Sequence, residues 1–325
     1  MADSVQRRNV EGRATGRRWF EPALAVCLLS ITVDPVAEPN LPPLEVTEVA
    51  SGIYVHQGLH EDATPINHYD IANIGFIIGE NCVAIIDTGG SVEVGHALRE
   101  TIRNTTNRPI CYVINTHVHP DHIFGNLAFK ENDPIYIAHV NFPDALAERA
   151  PYYIRSLSRL SDSVYTEALV VPPDRTVADV LELDLGGRQL LIAAHPTAHT
   201  NNDLTIYDVQ TKTLWLSDLL FIERIPAIDG SIRGWLAVTD KLKSVDAERV
   251  VPGHGPVSAE WPESLSAQER YLRTLLREIR EFIQDGGLLE QAVEQVGYSE
   301  RDEWLLFDHY HRRNVTSSFA ELEWE

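Results

Sequence analysis

Thr116-His117-Val118-His119-Pro120-Asp121-His122 is the stretch around which the rest of the chain is organised. An apolar, β-branched run at residues 110–115 precedes it and predicts a buried strand. Residues 123–130 are predicted to continue as a helix, since Pro120 is tolerated in a first helical turn. Three imidazoles and a carboxylate are therefore expected at the carboxyl end of a strand, where α/β folds place their chemistry.

This density of nitrogen and oxygen donors suits zinc, or another first-row metal such as iron or manganese. A solvated, histidine-rich turn is the alternative interpretation. It fits an isolated His-x-His pair better than it fits the full His-x-His-x-Asp-His string. The string therefore favours a metal site.

Composition limits the class of protein and of partner. The 325 residues allow one large domain or two small ones, and the hydrophobic fraction of 44% is ordinary for a globular protein. The formal net charge of −21 repels phosphate backbones and anionic membranes. This charge argues against a nucleic-acid partner, although some metal-dependent nucleases carry a similar histidine string.

The three cysteines do not form a disulfide framework. Cys27 falls in the amino-terminal segment, whereas Cys82 and Cys111 fall in two predicted strands. They are interpreted as small buried apolar residues. A single bridge between Cys82 and Cys111 stays open if their strands are neighbours in an oxidising compartment.

Residues 1–40 have the pattern of a cleaved secretory signal peptide. A basic region with five arginines precedes an apolar run at residues 22–33, which is too short to span a bilayer. The string Leu24-Ala25-Val26-Cys27 offers a lipoprotein signal as an alternative. We expect export to the periplasm or secretion, and no later segment has the length and apolar character of a membrane span.

The first half of the remaining chain predicts strands, a helix and another strand. Residues 46–55 predict a strand, and residues 74–78 and 82–86 predict a hairpin around Gly79-Glu80-Asn81. A helical period follows at residues 92–105, before the strand at 110–115. Residues 135–138 predict a further strand. Residues 144–170 are expected to be partly helical, with aromatic side chains that can line a groove: Tyr152, Tyr153 and Tyr165.

The second half repeats the order of strands followed by helices. Strands are predicted at residues 180–185, 189–194, 204–207 and 213–216, and amphipathic helices at 263–284 and 288–296. Two similar halves fit a four-layer αββα sandwich of the α/β (α+β) class, with two sheets inside and helices outside. Residues 41–260 are predicted to form this domain, and residues 261–325 a helical extension packed on it.

Further metal ligands are expected at the ends of other strands, since a two-metal site needs more donors than the first string supplies. His199 follows the strand at 189–194, Asp218 is predicted at the end of the strand at 213–216, and His254 stands in Pro252-Gly253-His254-Gly255. A charge at the end of an apolar strand is costly unless it is paired or bound to metal. These three residues are therefore the candidate additional ligands.

Taken together, these motifs resemble the metallo-β-lactamase superfamily from about residue 45 to residue 260. The resemblance implies the αββα sandwich, with two metal ions at the edge of the sheets. It implies that a first metal is held by His117, His119 and His199, and a second by Asp121, His122 and His254. Asp218 would bridge the two ions.

Two features place the chain within that superfamily. Asp218 resembles the glyoxalase II, lactonase and related hydrolase branches, whereas metallo-β-lactamases proper generally lack a bridging aspartate. The diiron oxidoreductase branch usually has glutamate in place of His119, so this sequence departs from that branch. More narrowly, three stretches are similar to the quinoprotein relay system zinc metallohydrolases, exported proteins associated with pyrroloquinoline-quinone (PQQ) dehydrogenases: Gly234-Trp235-Leu236-Ala237-Val238, Arg313-Asn314-Val315-Thr316 and Glu321-Leu322-Glu323-Trp324-Glu325.

These assignments predict a hydrolase with two zinc ions, iron or manganese being possible replacements. Two metals about 3.5–4 Å apart can activate water near neutral pH and polarise a carbonyl group. Asp121 is expected to orient the nucleophile as the catalytic residue, in the cleavage of an ester, thioester, lactone or amide bond of a small molecule. The alternatives are a mononuclear iron persulfide dioxygenase and a non-catalytic, metal-binding accessory protein of a periplasmic dehydrogenase.

Other polar residues receive secondary roles. Asp87 is expected to order its turn and the neighbouring ligands rather than to bind metal. His195 and Asp203 are interpreted either as partners behind His199 or as ordinary turn residues. Arg224 and Arg233 are candidates for contact with an anionic substrate. Structural or surface roles are expected for the remaining histidines considered, which are His139, His309 and His311.

Overall fold

Two stacked β-sheets form the centre of the computed structural model, which describes residues 41–161, 166 and 169–325. The predicted signal peptide and Tyr165 lie outside the described residues. The first sheet contains, in spatial order, β1 Thr47–Ala50, β2 Ile53–His56, β3 Ile74–Ile78, β4 Val83–Ile86, β5 Ile110–Ile114, β6 Ile135–His139 and β7 Arg175–Val177. The second contains β8 Val180–Asp184, β9 Gln189–Ala194, β10 Leu204–Asp208, β11 Thr213–Phe221 and β12 Arg249–His254.

The directions of the strands explain why the predicted site residues lie at one edge of the sandwich. Strands β1 to β4 pair antiparallel, whereas β4, β5, β6 and β7 pair parallel. In the second sheet, β8 to β11 pair antiparallel, and β12 pairs parallel with β11. The carboxyl ends of β4, β5 and β6 therefore meet at one edge of the first sheet.

Helices cover both outer faces of the sandwich. Within the described part of the chain they are α1 Val92–Thr105, α2 Pro120–Ile123, α3 Phe142–Ser161, α4 Ile232–Leu242, α5 Ser266–Gln284, α6 Leu289–Gln295 and α7 Phe307–Leu322. Ser91 caps the amino terminus of α1, where its hydroxyl accepts the Val94 N–H. Among the described residues, none of the helices is both long and apolar enough to cross a membrane.

Three apolar clusters separate the layers. Ile86 and Ile114 of the first sheet pack between the sheets against Ile206, Trp215 and other residues of the second. On the outer face of the first sheet, α1 packs through apolar side chains that include Val94, Leu98 and Ile102. On the outer face of the second sheet, one cluster joins β11 to α4, α5, α6 and α7. The αββα prediction is confirmed.

Three local predictions are wrong in their details. Residues 46–55 form two strands rather than one, because Gly52 turns the chain with a φ of +71°. The helix expected at 123–130 ends at Ile123, and a 3₁₀ helix follows at Asn126–Asn132. Asp218 lies inside β11 rather than at the end of a strand, because β11 runs on to Phe221 past an irregular step at Ser217.

Candidate metal centre

The fold brings all seven predicted ligands to one edge of the sandwich. His117 and His119 follow β5, while the first turn of α2 supplies Asp121 and His122. His199 lies in the connection between β9 and β10. The strands β11 and β12 supply the last two, Asp218 and His254.

The first group contains His117, His119, His199 and Asp218. The Nδ1 atom of His119 lies 3.0 Å from Nε2 of His117 and 3.1 Å from Nε2 of His199. The Oδ2 atom of Asp218 lies 3.6 Å from Nε2 of His117 and 3.3 Å from Nε2 of His199. Four donor atoms therefore surround one point.

The second group contains Asp121, His122 and His254. The Oδ2 atom of Asp121 lies 3.7 Å from Nε2 of His122 and 3.4 Å from Nε2 of His254. Asp218 faces this group as well, with Oδ1 3.1 Å from Nε2 of His122 and Oδ2 3.5 Å from Nε2 of His254. Asp218 thus lies between the two groups, as a bridging residue would.

Hydrogen bonds behind the histidines turn the other ring nitrogen of each side chain toward the centre. In three rings, the nitrogen remote from the centre meets an oxygen that can only accept, so that this nitrogen carries the proton. The contacts are His199 Nδ1 to the Ala227 carbonyl at 2.7 Å, His254 Nδ1 to the Ile71 carbonyl at 2.7 Å, and His119 Nε2 to Asp229 Oδ2 at 2.9 Å. This is the arrangement that orients metal-ligating histidines.

Asp87 organises the two other rings from a fully buried position at the end of β4. Its Oδ1 accepts the Thr116 N–H at 2.8 Å, and its Oδ2 accepts the Thr116 hydroxyl at 2.7 Å and His122 Nδ1–H at 2.8 Å. The Thr116 hydroxyl in turn lies 3.1 Å from Nδ1 of His117. The carboxylate therefore points away from the centre, which agrees with the expected ordering role.

Two observations indicate that these residues can bind metal ions. The buried atoms His122 Nε2 and Asp218 Oδ1 have no hydrogen-bond partner, although they lie only 3.1 Å apart. Buried polar atoms are ordinarily satisfied, so an orphaned pair indicates a missing ligand. The ligand atoms of a tetrahedral zinc site, with bonds of about 2.0–2.1 Å, lie roughly 3.3 Å apart. The contacts of 3.0–3.6 Å within the first group match that spacing.

Burial and charge set the protonation of the histidines. Burial, reinforced by the charge of His122, holds the pKa of His117 well below its usual range, and burial lowers the pKa of His199 to about 3. Both rings are therefore neutral at pH 7. For His122, burial lowers the pKa, but the charges of Asp218 and Asp87 outweigh it and raise the pKa well above its usual range. A metal at the second group must displace this proton, so its binding weakens as the pH falls.

Close packing holds Asp218 and His199 in place. A Cβ atom on Gly253 would lie 1.9 Å from Oδ1 of Asp218, so only glycine permits this approach of β12 to the carboxylate. The indole of Trp235 packs edge-on against the His199 ring, with centroids 5.2 Å apart, and donates to the Leu219 carbonyl. One of the stretches that carries the narrower resemblance thus supports a candidate ligand.

A cavity of about 500 Å³ opens over both groups. His119, Asp121, Asp218 and His254 face it. Apolar and aromatic side chains form much of its wall, including Tyr152 and Tyr153 of α3 as expected: Ala63, Ile71, Tyr152, Tyr153, Leu157, Phe221 and Ala227. A volume of this size suits a small molecule.

Sequence reasoning missed Asp229, which accepts His119 Nε2–H and also contacts Arg149 of α3 and Arg313 of α7. Burial would raise the pKa of Asp229, but His119 and the two arginines outweigh it and lower the pKa well below its usual range. No motif signals this residue, because its partners come from distant parts of the chain. Asn314 of α7 positions the same loop by accepting the Ile228 N–H.

Of the remaining polar residues singled out in the sequence, one lies on the cavity wall and the others lie elsewhere. Arg224 lies on the cavity wall, whereas Arg233 is half-exposed, pairs with Glu325 and lies outside the wall. Asp203 accepts the Thr200 N–H and hydroxyl, so it orders the loop after His199. The other histidines form hydrogen bonds outside the metal centre: His195 with Thr205, His139 with the Asn141 N–H, His311 with Tyr271 and the Val296 carbonyl, and His309 with Asp62.

The two described cysteines lie side by side in the first sheet. Cys82 immediately precedes β4, and Cys111 lies in the adjacent parallel strand β5. Both are free thiols, and burial together with the contact to Cys111 raises the pKa of Cys82 to about 12. Cys82 is buried as predicted, whereas Cys111 is only partly buried.

Comparisons with known proteins show the family of this chain. The family model of the metallo-beta-lactamase superfamily matches residues 69–254, a span that contains every candidate ligand. A linear primary-alkylsulfatase from Pseudomonas sp. (strain ATCC 19151) is 25% identical over 54% of this chain and 40% of its own length. The beta-lactamase-like protein 2 homolog of Caenorhabditis elegans is 24% identical over 61% of this chain and 60% of its own. The chain thus spans less than two thirds of the length of each of these curated relatives.

Solved structures share the fold. A metallo-beta-lactamase from Pontibacter korlensis superimposes with a TM-score of 0.58 at 21% identity, covering 71% of this chain and 99% of that one. A stereoselective inverting sec-alkylsulfatase from Pseudomonas sp. gives a TM-score of 0.60 at 18% identity, covering 78% of this chain and 45% of that one. At these identities the similarity concerns the fold alone.

Proposed function

This chain belongs to the metallo-beta-lactamase superfamily, and we propose that it is a hydrolase that holds two divalent metal ions, most simply zinc. The observation that carries the proposal is the convergence of seven side chains on two points, five of them histidines whose remote ring nitrogens have hydrogen-bond partners behind the site. His117, His119 and His199 would hold one ion, and Asp121, His122 and His254 the other, with Asp218 between them.

Metal ions held there would supply activated water at neutral pH and polarise the scissile group of the substrate. Asp121 is the residue of this chain placed to orient the water. Its side chain is 16% exposed and faces the cavity. Burial would raise its pKa, but His122 and His254 outweigh this and keep the carboxyl ionised, so that it can accept a hydrogen bond from the nucleophile.

The cavity walls support a small-molecule substrate with an apolar part. The tyrosines of α3 and the side chain of Ile71 line the cavity, and Phe221 lines it beside the imidazoles, stacked on the His254 ring with centroids 4.9 Å apart. Esters, thioesters, lactones and amides are the substrates that this arrangement suits. The similarity to an alkylsulfatase adds sulfate esters to this set.

We further propose that the protein is exported and serves a periplasmic PQQ-dependent dehydrogenase system. The support is the amino-terminal sequence pattern and the three stretches of the narrower resemblance. In the structure, Trp235, Val315 and Leu322 of these stretches belong to one apolar cluster, and Glu321 accepts the Ser231 hydroxyl and the Ile232 N–H at the start of α4. Secretion of a tagged chain, with cleavage near residue 40, is the test of the export proposal.

Chelation is expected to remove hydrolytic activity reversibly. We expect the protein to cleave at least one member of a panel of esters, thioesters, lactones and sulfate esters, to lose that activity on dialysis against a chelator, and to regain it with zinc. Thermal unfolding should shift to lower temperature on chelation, because bound metal stabilises the folded state. Turnover that survives complete metal removal would refute the proposed function.

A further inference from the structure

One loop orients two of the three histidines in the first group. It comprises residues 226–231, between β11 and α4, and we term it the orienting loop. Its Ala227 carbonyl accepts His199 Nδ1–H at 2.7 Å, and its Asp229 carboxylate accepts His119 Nε2–H at 2.9 Å. The Asp229 N–H also donates to the His199 carbonyl at 3.2 Å. The directions in which both rings point therefore depend on where this loop lies.

The histidines of the second group have their partners elsewhere. His122 Nδ1–H donates to Asp87, and His254 Nδ1–H donates to the Ile71 carbonyl. Neither acceptor belongs to the orienting loop. A displacement of this loop is therefore expected to disturb the first group and to leave the orientation of the second group unchanged.

Two side chains of α7 hold the orienting loop at its two ends. Asn314 is 1% exposed, and it accepts the Ile228 N–H at 2.9 Å and donates to the Pro226 carbonyl at 2.6 Å. Glu321 accepts the Ser231 hydroxyl at 2.7 Å and the N–H of the first residue of α4 at 2.8 Å. Because two helical turns separate Asn314 from Glu321, both side chains lie on one face of α7.

Apolar packing fixes α7 itself. Its side chains of Val315, Phe319 and Leu322 belong to the cluster that joins it to α4, α5 and β11. The orienting loop, in contrast, contains neither helix nor strand, and its backbone hydrogen bonds to residues 198–199 connect it to the first group. The hydrogen bonds from α7 thus anchor the loop to the helical layer.

We propose that Asn314 and Glu321 are positioning residues for the first metal ion, and that they act through the orienting loop. The loop transmits their effect to the rings of His119 and His199. This inference rests on the proposed function, and it gives a role to two stretches of the narrower resemblance that lie beyond the last candidate ligand in the chain. The carboxyl-terminal helix then determines how tightly the first ion is held and does not affect the second.

Zinc titration of the full chain against a chromophoric chelator tests the proposal without requiring turnover. The variant Asn314→Ala is combined with either of two ligand variants. In His254→Ala only the first group is intact, and we expect Asn314→Ala to weaken zinc binding about 10-fold there, the lower end of the effect of losing a direct partner of a ligand. In His199→Ala only the second group is intact, and the same change should leave zinc affinity unchanged.

Two further variants keep the test decisive. Glu321→Ala removes the anchor at the other end of the loop, so it should give the same pattern, and it replaces Asn314→Ala if that variant does not fold. The matched control is His311→Ala. His311 is another buried polar residue of α7, but it contacts Tyr271 and the Val296 carbonyl instead of the loop. Its loss should lower the free energy of unfolding and leave zinc affinity unchanged in both backgrounds.

The possible outcomes separate this proposal from the proposed function. Weakening in the His254→Ala background alone, absent from the His311→Ala control, supports the positioning role. Wild-type protein that binds two zinc ions, with anchor variants that weaken both groups equally or neither, overturns this inference and leaves the hydrolase proposal intact. Wild-type protein that binds no zinc overturns both.

Discussion

Replacement of Asp218 by alanine is expected to remove metal and hydrolytic activity together. Asp218 contacts histidines of both groups, and its Oδ1 has no hydrogen-bond partner of its own. Loss of a residue behind a metal ligand already costs about 10–100-fold in affinity or activity, so loss of a bridging ligand should lower kcat/KM by at least about 100-fold. Elemental mass spectrometry and steady-state kinetics on the same preparation would measure both effects.

The matched control is Asp246→Ala. Asp246 is an exposed aspartate that pairs with Lys212 on the surface, and its loss should leave metal content and activity at wild-type levels. Circular dichroism would establish that both variants are folded. Full activity in metal-depleted Asp218→Ala would contradict the bridging role.

Asp87→Asn is expected to weaken both the fold and metal binding. One carboxylate oxygen accepts the Thr116 N–H and the other accepts His122 Nδ1–H, so an amide in either orientation turns its own N–H groups toward a donor. Unsatisfied groups at a site with 0% exposure should lower the free energy of unfolding by about 3 kcal/mol. Metal affinity should fall about 10–100-fold, because His122 loses its orienting partner.

A second buried aspartate separates these two effects. Asp208 forms a buried ion pair with Arg188, with contacts of 2.8 and 3.0 Å, and it has no contact with the metal centre. Asp208→Asn should lower the free energy of unfolding in urea but leave metal affinity unchanged. If Asp87→Asn also binds metal with wild-type affinity, Asp87 does not orient the ligands.

The sequence predicted most of the candidate ligand set because short-range rules act strongly there. His117, His119, Asp121 and His122 follow an apolar strand within eight residues, so their proximity follows from the chain itself. The αββα sandwich was predictable for a similar reason, since strand and helix periods are read locally. Bringing His199 and His254 to the same edge required the resemblance, because their pairing depends on the topology of a second sheet.

What the sequence did not predict depends on contacts between distant segments. Asp229 holds His119, Arg149 and Arg313, which lie on three separate elements, and no local pattern connects them. The anchoring of the orienting loop by α7 is likewise a tertiary property, because the helix lies far from the loop in the chain. The extension of β11 past Asp218 depends on its parallel pairing with the distant strand β12, where Phe221 pairs with His254.

The metal content of the wild-type chain, purified without added metal, tests the central claim most directly. Elemental mass spectrometry on protein quantified by amino-acid analysis gives the number of ions per chain and their identity. The structure leads us to expect about two divalent ions per chain, predominantly zinc, with one ion for each group of ligands. A single iron ion per chain, in an oxygen-consuming preparation, would contradict the two-metal hydrolase and favour persulfide oxidation instead.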